Sequence, residues 1–267
     1  YVDTQNTWPV NTRLYLPREW ADDQRRCRRA HVPKDIVYKS KTDIALELRD
    51  QADDIGVPYK TVIFNTSYGS CLSLYKGLEK RNKNYIGGVP HDFEVILPRG
   101  NEAVLREKAC NITVSLPENA WKVITWLKGG YSPLSKQFAF TRAYRADRGK
   151  VGSPGWLIHE APLPGEKGNP KWYFSNFNEN EDPANLIKLA HRYCEIEMFY
   201  QDAKNELGLD HYEGRLWHGW HRHFTLVLWA YSWLVTRRLF GGLRRPTPLN
   251  SSINNRRKRY KRTLLVQ

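Results

Sequence analysis

The stretch that most constrains this chain runs from His191 to Leu234: two amphipathic segments joined by a basic, aromatic, histidine-rich turn. In the first segment Tyr193, Ile196, Tyr200, Ala203 and Leu207 recur at three- and four-residue steps, so they share one helical face. Gly208 follows and is a natural helix stop. The second segment, from about His218 to Phe240, is a helix with Phe224, Val227, Leu228, Tyr231, Leu234 and Val235 as its apolar positions. Glu197 and Lys204 stand seven residues apart, about two turns, and project from nearly the same side. An acid and a base so placed suit one site, the acid to hold a metal and the base a phosphate. On spacing alone a solvated helix face is the favoured reading.

The charge narrows the partner. At 267 residues the chain has room for one large domain or two modest ones, and its formal charge is +14 with a pI near 9.6. That excess points to a polyanion, most simply nucleic acid, with a membrane surface as the competing reading. No run of about 18 apolar residues is present to span a bilayer, and no N-terminal signal pattern is visible. Ten Trp and fifteen Tyr are enough to build a core and leave some for stacking. Cys27, Cys71, Cys110 and Cys194 form no CxxC pair, so they suggest neither a zinc site nor a disulfide framework, and a cytoplasmic setting follows. The chain opens at Tyr1 in mid-pattern and reads as part of a longer protein.

Taken in order, Val10 to Leu16 reads as a strand ended by Pro17, and ADDQRRCRRA as a short charged helix or loop. Arg25, Arg26, Arg28 and Arg29 in that stretch suit phosphate or a solvated turn equally well. Lys41 to Ile55 is a helix capped by Thr42 and ended by Gly56. Thr61 to Phe64 is a short apolar strand, as expected of one buried on both faces. It ends at Asn65-Thr66-Ser67-Tyr68-Gly69, and open α/β sheets place their sites just past such strand ends. Ser73 to Lys80 is the next helix and Asn84 to Val89 the next strand, a mixed α/β pattern.

From His91 to about Phe177 helical periodicity fades. FEVIL, ITVSL, WKVITWL, FAFTRAY, WLIHE and KWYFSNF read as strands separated by Gly- and Pro-rich turns, an antiparallel insertion within the α/β domain. Lys122, Lys128, Lys136, Arg142, Arg145, Arg148 and Lys150 make its middle basic, which suits a DNA-facing surface. Asp182-Pro183 opens a helix that leads into the His191 stretch, and residues after Phe240 read as a flexible basic tail. The divisions are 1–90 for the first part of the core, 91–180 for the insertion, 181–240 for the later core helices and 241–267 for the tail.

TRLYLPREWADD, SKTDIALEL, VIFNTSYGS, WLIHEAPLPGEK, KWYFSNF and above all AHRYCEIEMFYQDAKNELGLDHYEGRLWHGWHRH carry a specific likeness. On these motifs the chain resembles DDE transposases of IS4/IS701-like bacterial insertion sequences. The resemblance implies an RNase H-like mixed α/β sheet with helices, interrupted by the β-rich insertion and followed by C-terminal helices. It implies Mg²⁺ or Mn²⁺ as cofactor, double-stranded DNA at transposon ends and targets as partner, a nucleoid-associated location, and allows a homodimer. At matching positions Glu197 takes the place of the catalytic Glu, and Lys204 that of a lysine gripping DNA phosphate. Asn65 takes the place of the second catalytic Asp, so Asn65 and Glu197 are the metal-holding pair. Asn offers a neutral oxygen where a metal favours a carboxylate, so affinity for the ion should fall. The family's first Asp lies on an upstream strand and has no counterpart here; Asp3 is a poor candidate. Arg192 is displaced by one from the family's Arg, and Ala190 stands where a Tyr is expected. Glu195 is an alternative acid, about 200° round the helix from Glu197, so only one of the two faces the site. Arg215, Trp217 and Arg222 suit the DNA backbone. His211, His218, His221 and His223 fit no standard zinc spacing and suit DNA contact or packing.

Overall fold

The computed structural model describes residues 1–2, 6–98, 105–127 and 133–241. Asp3, Lys128 and the basic tail beyond Gly241 lie outside the described residues. In chain order the elements are α1 (Arg18–Ala21), α2 (Gln24–Arg29), α3 (Lys41–Asp54), β1 (Thr61–Phe64), α4 (Thr66–Gly69), α5 (Leu72–Lys80), β2 (Asn84–Val89), β3 (Glu94–Leu97) and β4 (Leu105–Lys108). Then follow α6 (Ala109–Ser115), β5 (Lys122–Leu127), β6 (Pro133–Asp147), β7 (Lys150–Ala161), β8 (Lys171–Ser175), α7 (Pro183–His191), α8 (Tyr193–Leu207) and α9 (Trp217–Gly241). The fold is mixed α/β, an eight-stranded mixed sheet with helices, consistent with an RNase H-like architecture. No helix among the described residues is long and apolar enough to cross a membrane. The chain divides into a sheet unit, Tyr59–Cys194, and a helical unit made of Tyr1–Pro58 and the residues from Glu195 on.

In the sheet unit the strand order is β1-β2-β8-β7-β6-β3-β4, with β5 paired to β6. β1 and β2 run parallel, Thr61 opposite Asn84 and Phe64 opposite Gly87. Every other pairing is antiparallel. The β-rich stretch is therefore antiparallel as the turn spacing suggests. It does not stand apart, because β8 bonds directly to β2 from Ile86–Ser175 to Val89–Trp172. Asp182 caps α7 by accepting from the Ala184 amide at 3.1 Å, and Pro183 takes the first turn, where a missing N–H costs nothing. Leu186 and Ile187 of that helix pack fully buried against Ile86, Phe138 and Ile158 of the sheet.

The structure departs from the sequence reading at several places, beginning with the cap of α3, which is Ser40 accepting from the Asp43 amide at 3.1 Å and not Thr42. Val10 to Leu16 forms no strand; Trp8 and Leu14 pack instead on the helical core. ITVSL lies mostly in α6: Ala109 and Ile112 bury one face, and Thr113 Oγ1 bonds back to the Ala109 carbonyl at 2.9 Å, so packing overrides β propensity. β1 is the edge of the sheet and only Phe64 of it is buried. The helix entering the His191 stretch breaks at Arg192 into α7 and α8. β4, whose LREK lacks an apolar signal, pairs with β3.

The helical unit is built round one cluster. Phe199 and Ala203 of α8 meet Trp220, Phe224, Val227, Tyr231 and Val235 of α9, all buried. Gly208 ends α8 with φ +66, a left-handed value open to glycine, and a Cβ there would lie 2.7 Å from the His211 ring. The Trp217 amide donates to the Ala30 carbonyl at 2.8 Å, so the start of α9 is tied to the end of α2.

Candidate functional site

Asn65 follows the last residue of β1 and caps α4. Its Oδ1 accepts from the Ser67 amide at 3.1 Å, and its Nδ2 donates to the Tyr193 hydroxyl at 2.9 Å. The turn it begins lies directly on β2. A Cβ on Gly69 would come within 2.0 Å of the Gly88 carbonyl oxygen, and one on Gly87 within 1.9 Å of the Phe64 ring. Both are contacts no real side chain makes, so the glycines of YG and IGGV are what let the turn and strand approach. They are working residues that sequence reading passes over, and the doubled glycine inside an otherwise apolar strand is the available signal.

Beneath the turn stands a buried ionic strut. Tyr75 donates its hydroxyl proton to the Gly69 carbonyl at 2.9 Å, and the Arg145 guanidinium lies 4.8 Å from the Tyr75 ring centroid. Arg145 is 2% exposed. Its Nε donates to Asp147 at 2.6 Å, its Nη1 to Glu79 at 2.5 Å and to the Tyr85 hydroxyl at 3.1 Å. Burial opposes its charge, but the Asp147 and Glu79 carboxylates hold its pKa above the ordinary value. Burial alone would raise Asp147; Arg145, aided by Lys76, brings it below the usual carboxylate range. Burial pushes Tyr75 and Tyr85 upward, so both stay protonated donors. The expectation that Arg145 faces DNA is corrected: it is buried, and all three of its nitrogens are taken by Asp147, Glu79 and Tyr85. Strand alternation held the clue, since Ala143, Arg145 and Asp147 fall on one face of β6 and the first is apolar.

Arg142 and Lys136, also on β6, are engaged at the surface. Arg142 donates to the Phe177 carbonyl at 2.8 Å and lies 5.3 Å from the Trp156 ring centroid. Lys136 donates to Glu166 at 2.6 Å. The same sheet unit buries a second polar cluster. The Tyr173 hydroxyl donates to Glu160 Oε2 at 2.7 Å, and His191 Nε2 lies 3.1 Å from that oxygen while its ring stacks on Trp126 at 4.0 Å. Burial pushes Glu160 up, but His191, Tyr173 and Lys171 bring it below its usual range. His159, beside it on β7, is 1% exposed; its Nδ1 shares a hydrogen with Thr113 Oγ1 at 2.6 Å, and burial pushes its pKa down to about 4.

In the helical unit Glu197 and Lys204 both sit on the exposed side of α8. Glu195 is turned inward and accepts from Thr7 Oγ1 at 3.4 Å. Arg215 is exposed in the turn between α8 and α9, and Arg222 on α9 is exposed too. The Trp217–Ala30 bond brings that turn beside α2, whose Arg25, Arg26, Arg28 and Arg29 are all exposed. Two of the four histidines pack: His221 Nδ1 meets the Trp217 carbonyl at 2.9 Å, and His223 stacks on Tyr212 with centroids 5.6 Å apart, while His211 and His218 are exposed.

Residues 1–109 match the family model of the DDE superfamily endonucleases. The matched stretch holds β1, the Asn65 turn, β2 and β3, so over it the chain is similar to DDE-type transposases and endonucleases. No curated protein matches the chain. DDE superfamily endonucleases act on DNA and generally use divalent metal ions. Such ions take oxygen ligands, carboxylates above all. Here the Asn65 oxygen already caps α4, and its amide presents hydrogens to Tyr193. Among the described residues no three His, Cys, Asp or Glu side chains gather where a metal ion could be held. The residues present do not, by themselves, fit a metal centre.

Proposed function

We propose that this chain is a DNA-binding segment of a DDE-type transposase of insertion-sequence type, with Asn65 and Glu197 in the positions of two catalytic acids. As it stands it binds DNA without cleaving it, because Asn65 leaves the pair one negative charge short. The observation that carries the reading is Asn65 itself: it directly follows β1 inside the segment matched by the DDE model, on a turn packed closely against β2. Glu197 is taken as its partner acid from the likeness of the α8 motif, and it is exposed on that helix. Glu195 is the weaker choice, since Thr7 already engages it. Lys204, Arg215 and Arg222 supply phosphate contacts, and exposed arginines of α2 extend the same basic surface. In the sheet unit, Lys136 and Arg142 would meet phosphate only by releasing Glu166 and the Phe177 carbonyl.

Calorimetry with Mn²⁺ tests the assignment. The wild-type chain is expected to bind the ion weakly, and Asn65→Asp to bind it measurably tighter. The aspartate would still cap α4 and would accept from the Tyr193 hydroxyl. Glu197→Gln in that background should abolish the gain, and Glu195→Gln should leave it. Loss of the gain on Glu195→Gln alone would show that the acids are assigned the wrong way round. No gain in Asn65→Asp would remove Asn65 from the site.

A further inference from the structure

Helix α9 is apolar on both of its long faces. Trp220, Phe224, Val227, Tyr231 and Val235 are buried in the helical core. On the opposite side Leu226, Trp229, Trp233 and Phe240 are 61%, 71%, 56% and 85% exposed. They follow one another at steps of three, four and seven residues, and so form one stripe about 21 Å long. A helix hydrophobic all round is ordinarily covered all round, and two indoles left this bare are expensive in water. Two arginines lie in the stripe rather than beside it: Arg222 one turn before Leu226, and Arg237 one turn after Trp233, its guanidinium 5.8 Å from that ring.

We propose that this face of α9 is a stacking platform for unpaired nucleotides, with bases on Trp229 and Trp233 and phosphates on Arg222 and Arg237. The proposal rests on the nucleic-acid reading above and specifies the form of strand this face takes. Charge selects the occupant. None of the 25 residues of α9 is Asp or Glu, so a second copy laid on the stripe would set arginine against arginine with no acid to answer it. An amphipathic helix lying on lipid keeps its cations on the polar side, away from its apolar face. Here the cations interrupt the apolar stripe, and the side away from it is occupied by the core. Neighbouring aromatic planes with a cation to either side are what a single strand asks for: π faces for the bases and positive charge for the backbone that flanks them. The sequence that follows α9 has the same sign, since residues 242–267 hold eight Lys and Arg and no acid.

The test uses the full chain in EDTA, so that its outcome is independent of Asn65, Glu197 and any metal ion. Binding of a short oligothymidylate is followed by tryptophan quenching and by anisotropy, beside a duplex of equal length and vesicles of phosphatidylglycerol. Trp229→Ala and Trp233→Ala should each weaken the single strand on the order of tenfold and leave the duplex unchanged. Their thermal midpoints should match wild type, because both side chains are exposed. Equal losses for duplex and single strand, or no loss, would overturn the proposal. So would vesicle binding that depends on these tryptophans more strongly than strand binding, or a dimer that Trp229→Ala turns to monomer. With Asn65→Asp still gaining Mn²⁺ affinity, any of these results would leave the acid assignment standing.

Discussion

The Asn65 turn and the Arg215 turn, to which the proposed function gives a metal-holding and a phosphate-holding role, are built in opposite ways. The Asn65 turn is fixed from beneath: glycines bring it against β2, Tyr75 holds its Gly69 carbonyl, and a buried arginine supports Tyr75. The Arg215 turn carries its arginine into solvent and is tied down by the Trp217–Ala30 bond and by Leu209 and Trp220 in the core. Acids that must meet a small ion need positions fixed to fractions of an ångström. Cations that meet a phosphate backbone act through a field that tolerates motion. The difference in construction matches that difference in task.

The contrast breaks most visibly at Arg145. Arg145→Ala takes the cation from Glu79 and leaves buried Asp147 with Lys76 alone, and should cost about 3–5 kcal/mol in urea denaturation. Gly69→Ala drives a methyl into the Gly88 carbonyl and should cost about 1–3 kcal/mol. If Arg145→Ala instead leaves stability intact and weakens only DNA binding, the strut is not what holds the turn.

A second effect, somewhat smaller, is in pH. His159 is held neutral in the fold with its pKa near 4, against about 6.5 when unfolded. Above the unfolded value neither state carries the proton and nothing is lost. As pH falls through 6.5 toward 4 the unfolded chain takes up a proton that the fold refuses, so stability declines across that window. The full effect is on the order of 3 kcal/mol, read as a falling urea midpoint from pH 7 to pH 4.5 that flattens in His159→Gln. The depressed carboxylates Asp147 and Glu160 add losses in the same direction only below the usual carboxylate range.

The smallest change in stability belongs to the Arg215 side of the comparison. Arg215→Ala and Arg222→Ala should leave stability within about 0.5 kcal/mol. Each should lower the salt slope of duplex binding by about one. An unchanged slope would reduce these arginines to a solvated surface.

How much of this was legible follows from what each signal depends on. β1, β2, β5 and α9 could be read because strand runs and helical periodicity are local, and the strand end at Asn65 came with them. The likeness to DDE transposases drew on longer motifs, and the family match covers its first part, residues 1–109. Arg145 was misplaced because charge alone argued for the surface, while its burial depends on Glu79, sixty-six residues away. ITVSL was misread because three β-branched or apolar neighbours look like a strand until Ala109 and Ile112 find a core. The outer stripe of α9 was not read: Trp229 and Trp233 fall outside the apolar positions picked out by periodicity, and only the packing of the opposite face shows them exposed.

The central claim of the proposed function is that residue 65 and Glu197 are the metal-holding pair. The direct measurement is a crystal of Asn65→Asp soaked in Mn²⁺, with anomalous scattering used to locate the ion. The account predicts an anomalous peak about 2.0–2.5 Å from a carboxylate oxygen of the substituted side chain and within reach of Glu197. A peak elsewhere, or residue 65 and Glu197 on surfaces that share no ion, would contradict it.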